Sequence, residues 1–122
     1  MWTVLTRLNK KPILLGIVMQ KLIKDGKVAV LISPGFGAGW STWAIGDRDE
    51  LLFDAEIAQA LLDGVDYGDI ELLAKSKYPD QYLGGLDDLE VQWVDQGTEF
   101  TVEEYDGSES IRYKDGTIWS VA

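Results

Sequence analysis

The spacing of hydrophobic and polar residues changes along the chain, and these changes predict its strands. Residues 28–32 (VAVLI) form a continuous apolar run between a glycine and a proline, which predicts a buried strand. From Leu89 onward, apolar and polar residues alternate with a period of two. The Asp-Gly pairs at 106–107 and 115–116 provide turns in this region, so we predict a C-terminal antiparallel meander that pairs with the early strand.

Helical spacing is found between these regions. A helix over 54–63 is predicted by an aspartate N-cap, a glycine stop and four apolar residues expected on one face, Ile57, Ala58, Leu61 and Leu62. A second helix is predicted over 69–78, before a proline, and a third over 20–25, before a glycine. The fold class is therefore α+β, a single domain with one N-terminal strand, two or three short helices and the meander.

The first eighteen residues differ from the rest. They combine Arg and Lys with a short apolar run, as a secretion signal does, but no small-residue cleavage site follows. The run is also too short to span a bilayer. We therefore predict an upstream extension or disordered leader over 1–18, with Met19 as the native start and one α+β domain over 19–122.

The net charge of −10 is unevenly distributed. Residues 1–27 carry six basic residues and one acid (+5), whereas the remainder carries five basic and twenty acidic residues (−15). Such an acidic body disfavours nucleic acid and anionic membranes and favours a basic partner. The chain has no His and no Cys, which excludes histidine-based triads, thiolate nucleophiles and metal sites built on those ligands. No cofactor is expected, and we expect a cytoplasmic protein that is not an enzyme.

The segment 33–43 (SPGFGAGWSTW) is the strongest candidate for a binding site. It lacks the Lys-Ser/Thr pair of a phosphate-binding loop, and Thr42 stands where a dinucleotide fingerprint has its third glycine. Two interpretations remain: a loop that offers backbone amides beside two tryptophans, or a tight connection whose tryptophans pack inward. We expect Trp40 to be exposed and Trp43 to pack. The candidate ligand- or partner-binding residues are Gly35, Phe36, Gly37, Gly39, Trp40, Ser41, Thr42, Arg48 and Tyr82.

Two glutamates form a possible second wall of this site. A two-residue turn at 106–107 would place Glu104 directly opposite Glu109, and facing like charges are unfavourable unless a cation or a basic partner group lies between them. A looser turn avoids the conflict and is the expectation. If the glutamates do face each other, Glu109→Gln should stabilise the protein. They are the weak metal-ligand candidates, and an oxygen-ligand divalent-metal enzyme is one functional alternative.

The runs 37–43 (GAGWSTW) and 104–109 (EYDGSE) resemble a group of small phage proteins, over most of 19–122. The resemblance implies an inhibitor or sequestering protein that acts on host machinery in the host cytoplasm, and it implies no particular activity or site residue. The leading hypothesis is thus a non-enzymatic acidic protein that binds a host protein with a basic surface. A pocket for a small planar, nucleotide-like ligand is the main alternative.

Overall fold

The computed structural model describes residues 20–114, in which strands open and close the chain and helices lie between them. The elements are, in order, β1 (Ile23–Lys24), β2 (Lys27–Ile32), a 3₁₀ helix (Ser41–Trp43), α1 (Arg48–Leu52), α2 (Ala55–Leu62), α3 (Tyr67–Lys77), a 3₁₀ helix (Gly84–Asp88), β3 (Glu90–Asp95), β4 (Phe100–Tyr105) and β5 (Ser108–Tyr113). They form one compact domain, which confirms the α+β class. The extension over 1–18, the start at Met19 and the turn at 115–116 lie outside the described residues.

A β-hairpin stands where the first helix was expected. Strand β1 pairs antiparallel with β2, with Ile23 opposite Val28. Asp25 and Gly26 form the turn with φ angles of 52° and 76°, as a two-residue hairpin turn with two positive φ angles requires. The predicted helix over 20–25 is therefore wrong, because a single turn of helix is a costly nucleus whereas Asp-Gly strongly favours a hairpin.

The strands divide between two antiparallel sheets. One has the order β1-β2-β3, and Leu31 of β2 lies opposite Val91 of β3, so the predicted pairing of the early strand is confirmed. The other sheet is the β4–β5 hairpin. The C-terminal strands are antiparallel as predicted, but β3 belongs to the first sheet and is not paired with β4.

The two longer helices begin at aspartate N-caps. Asp54 accepts a hydrogen bond from the Ile57 amide at 2.9 Å, and α2 follows as predicted. Asp66 accepts from the Gly68 amide at 3.2 Å, so α3 starts two residues before the predicted 69. Leu62 is 42% exposed, so the apolar face of α2 is narrower than expected.

Strand β2 is buried on both faces, which explains its continuous apolar run. One face contributes Ala29 and Leu31 to a core with the helices. The other face contributes Val28, Val30 and Ile32 to a core that the β4–β5 hairpin covers. The loop after β2 therefore starts in the middle of the molecule, beside the hairpin.

Candidate functional site

The carboxylate of Glu109 lies at the centre of the segment 33–43, here called the glycine loop. The residue is 2% exposed, and its carboxylate accepts four hydrogen bonds. Oε1 accepts from the Ser33 amide at 2.9 Å. Oε2 accepts from the Trp40 amide at 2.7 Å and from the amide and hydroxyl of Thr42 at 3.0 and 2.6 Å. The loop thus turns its backbone donors toward an anion, and that anion is a side chain of the same chain.

This arrangement resolves the conflict between the two glutamates. The 106–107 turn is tight, with φ angles of 51° and 87°, and Glu104 lies opposite Glu109, so the looser turn is wrong. Glu104 accepts from the Gly107 amide at 2.7 Å, whereas Glu109 turns into the loop. The negative charges of Glu104 and Glu109 are therefore each stabilised by their own hydrogen-bond donors. Within residues 20–114, no cluster of three or more Asp, Glu, His or Cys is suited to hold a metal ion.

Glycines allow the loop to approach its neighbours closely. The Gly37 amide donates to the Asp106 carbonyl at 2.7 Å. A Cβ on Gly107 would lie 2.7 Å from the Gly37 carbonyl carbon, and one on Gly85 would lie 2.7 Å from that of Gly39. The glycine loop, the hairpin turn and the second 3₁₀ helix are therefore in backbone contact, and their glycines are required by crowding.

The two tryptophans have the opposite environments to those predicted. Trp40 is fully buried, and its indole N–H donates to the Leu51 carbonyl at 2.9 Å. Its amide is held by Glu109, and its side chain then enters the helical core. Trp43 is 37% exposed and stacks on Tyr82, with ring centroids 5.8 Å apart. The expectation of an exposed Trp40 and a packed Trp43 is wrong.

The remaining candidate residues lie at three places. Phe36 is exposed at the tip of the loop, next to the hairpin. Tyr82 stands beside Trp43. A cleft of about 210 Å³ brings together Ser41, Thr42 and Arg48. The predicted set therefore contributes to three surfaces of the domain.

The first surface, here called the loop–hairpin surface, is a groove of about 570 Å³ lined by Phe36, Glu103, Glu104, Tyr105, Ser108 and Ser110. Tyr105 is 78% exposed and was not predicted as a site residue. Its place next to the Asp-Gly turn was a usable signal, since the strand period points it away from the apolar Val102 and Phe100. Gly35 is part of the same loop, and its lack of a side chain leaves room for the Asp88 carboxylate.

A second surface combines aromatic and aliphatic side chains near Tyr82. Ile45 is 72% exposed, and the Gln81 side chain fixes its backbone. The Gln81 amide donates to the Ile45 carbonyl at 2.6 Å and accepts from its N–H at 2.8 Å. Gln81 has no sequence signal for this role, because the partners are 36 positions apart.

Two tyrosines donate to carboxylates at the helices. Tyr67 donates to Asp87 at 2.5 Å, and this bond, with burial, raises the pKa of Tyr67 to about 12. Tyr78 donates to Asp54 at 2.5 Å, and burial followed by this bond raises the pKa of Tyr78 above its usual range. Both phenols are protonated at neutral pH, and they fasten α3 and the second 3₁₀ helix to their neighbours.

Comparisons with known proteins do not place this fold and site in a family. No protein-family model, curated protein or solved structure matches the chain. The resemblance to small phage proteins, and the functions it implies, therefore stay predictions. In the described part of the chain, no helix combines the length and the apolar character that crossing a membrane requires.

Proposed function

We propose that this protein binds a partner with a basic surface and acts by occupying that surface, without catalysing a reaction. The loop–hairpin surface is the contact. The observation that supports this proposal is a pair of exposed rings, Phe36 at 70% and Tyr105 at 78%, beside the carboxylates of Glu103 and Glu104. Aromatic anchors concentrate binding energy, and the carboxylates favour a partner rich in Lys and Arg.

The backbone beneath the two rings is fixed by hydrogen bonds. The Gly37 amide donates to Asp106, and the Ser108 hydroxyl donates to the Pro34 carbonyl, both at 2.7 Å. A surface that is ordered before binding loses little conformational entropy when the partner arrives. The groove is therefore better suited to recognition than a mobile loop with the same residues.

The charge of the molecule supports the same partner. A net charge of −10 accelerates the approach of a basic protein and repels acidic ones. Glu103 already forms an ion pair with Arg112 at 2.7 Å, in which both side chains are 50% exposed. An exposed pair of this kind contributes little to folding, so the Glu103 carboxylate can engage a cation of the partner at small cost.

An inhibitor or sequestering protein needs such a surface and no catalytic group. This role agrees with the one that the phage resemblance implies. The planar-ligand alternative loses two of its supports, because Trp40 is buried and Glu109 occupies the loop amides. Its remaining support is the cleft that contains Ser41, Thr42 and Arg48.

Selection from an unbiased library of short peptides on yeast tests the proposal. We expect the wild-type protein to enrich peptides with net positive charge, and enrichment to be lost when the ionic strength rises from about 0.1 M to about 1 M. Phe36→Ser and Tyr105→Ser should each weaken binding of an enriched peptide at least tenfold, which is about 1.4 kcal/mol. Leu72→Ser is the matched control, because Leu72 is 68% exposed on α3, which contributes no residue to the groove.

Enrichment of neutral or acidic peptides would contradict the proposal. So would the absence of any enrichment, or equal binding by Phe36→Ser, Tyr105→Ser and Leu72→Ser.

A further inference from the structure

The cleft beside Arg48 is a concave surface between α1 and β4, with its own chemistry. Its volume of about 210 Å³ is below the range of roughly 300–1,000 Å³ that is typical of pockets for drug-sized ligands. A ligand that fills it is therefore small.

The floor of the cleft is apolar. Phe53 and Phe100 line it and meet edge to face, with centroids 6.2 Å apart and planes at 84°. Leu52 and Val102 complete this floor. It suits the hydrocarbon or aromatic body of a ligand.

Two positively charged side chains at the cleft form no ion pair within residues 20–114. Arg48 lines the cleft and forms no ion pair with any residue of 20–114. Lys21 places its ammonium 4.3 Å from the centre of the Phe53 ring and also has no ion pair in that range. The lining itself holds one cation and one acid, Arg48 and Asp49, and Lys21 adds a second positive charge beside Phe53.

A buried hydroxyl at the cleft also lacks a partner. Ser41 is 2% exposed and lines the cleft, yet its Oγ forms no hydrogen bond with any group of residues 20–114. Buried hydroxyls in native proteins are nearly always hydrogen-bonded, to protein, water or ligand. The Ser41 hydroxyl is thus a donor available to a ligand.

We propose that this cleft binds a small organic carboxylate with an apolar body. Arg48 pairs with the carboxylate, the Ser41 hydroxyl donates to it, and the body packs on Phe53 and Phe100. Asp49 opposes the ligand's charge and limits affinity. The proposal concerns another surface than the one proposed for the basic partner, and it stands on different residues.

Phenylacetate is the probe, and phenylacetamide and acetate are the matched compounds that lack its charge and its apolar body. We expect saturable shifts of cleft amides in NMR titrations with phenylacetate, at concentrations up to about 10 mM, and at least tenfold weaker binding of each matched compound. Arg48→Gln should weaken phenylacetate binding at least tenfold. Lys24→Gln is the charge-matched control, because Lys24 lies outside the cleft and has no ion pair within residues 20–114, and should change binding less than twofold.

Two further variants separate binding from folding. Asp49→Asn should tighten phenylacetate binding two- to fivefold, because it removes the opposing charge. Ser41→Ala should weaken binding at least threefold without lowering the unfolding midpoint of the free protein, because the hydroxyl has no partner there. Absence of saturable binding, equal binding of phenylacetamide, or indifference to Arg48→Gln would each overturn the proposal. A failure here leaves the peptide selection with the loop–hairpin surface unaffected.

Discussion

Replacing Glu109 by glutamine tests whether an internal carboxylate holds the glycine loop. The change preserves the shape of the side chain and removes its charge. It also replaces one of the two acceptor oxygens by an N–H₂ group. In the native site all four neighbours of the carboxylate are donors, from Ser33, Trp40 and Thr42. The amide must therefore face at least one donor with another donor.

The size of the effect follows from these contacts. Hydrogen bonds to a charged acceptor contribute about 1.5–3 kcal/mol each, and a neutral acceptor contributes about half as much. If the glutamine oxygen takes the place of Oε2, three bonds weaken by about 1 kcal/mol each. The buried Ser33 amide then loses its acceptor, at about 1–3 kcal/mol. Relief of the desolvation cost of a buried carboxylate, several kcal/mol, offsets part of this loss. We expect a net destabilisation of about 2–4 kcal/mol.

Urea unfolding, followed by tryptophan fluorescence, measures this difference in the free energy of unfolding between the wild type and Glu109→Gln. In a domain of this size, a loss of 2–4 kcal/mol should lower the melting temperature by roughly 10 °C or more. Glu104→Gln is the matched control on the facing strand position, since Glu104 is exposed and accepts one bond from Gly107. It should change stability by less than about 1 kcal/mol. A Glu109→Gln variant as stable as wild type, or more stable, would show that relief of repulsion outweighs the hydrogen bonds and would refute this reasoning.

Three further predictions follow from the described contacts. Trp40→Ala should cost about 3–5 kcal/mol in urea unfolding and Trp43→Ala about 1 kcal/mol, because only Trp40 is fully buried; similar losses would contradict the assignment. Gly107→Ala should lower stability by more than Gly97→Ala, because both glycines have positive φ but only Gly107 is in contact with the loop; equal losses would contradict the crowding argument. The phenol of Tyr67 should titrate near pH 12 by phenolate absorbance, and Tyr67→Phe should abolish that transition. Because the folded pKa is raised above the ordinary tyrosine value of 10.0, the contribution of this bond to stability is complete below pH 10 and is lost as the pH rises to about 12; titration at pH 10 would contradict this.

The sequence predicted those elements whose causes are local. The continuous apolar run 28–32 predicted a buried strand. Asp54 predicted the start of α2, because its side chain can accept a hydrogen bond from the amide three residues further on, that of Ile57. The first hairpin was missed although its cause is also local. Its Asp25-Gly26 turn was interpreted as a helix stop, since glycine serves both structures and the strand before it is only two residues long.

The candidate site was less predictable, because its decisive contacts join residues far apart in the sequence. Glu109 meets Trp40 across 69 positions, and no spacing rule connects them. Without that contact, the glycines pointed equally to an open loop and a crowded one. A two-residue turn at 106–107 was recognised as placing Glu104 opposite Glu109, but a looser turn was expected because the sequence could not show that the two carboxylates turn toward different donors.

The internal carboxylate also limits which groups the proposed partner or ligand could contact. Backbone amides that converge on an anion are a common way to recognise phosphates and carboxylates. Here the backbone amides of the loop donate to the Glu109 carboxylate. An external anion would therefore have to displace a buried group held by four hydrogen bonds. Both binding proposals therefore rely on groups outside this hydrogen-bond network. These are the exposed rings of Phe36 and Tyr105 on one side and, on the other, the Arg48 guanidinium, which has no ion pair in the described chain. The glycine loop contributes Phe36 to the first of these surfaces and Ser41 and Thr42 to the second.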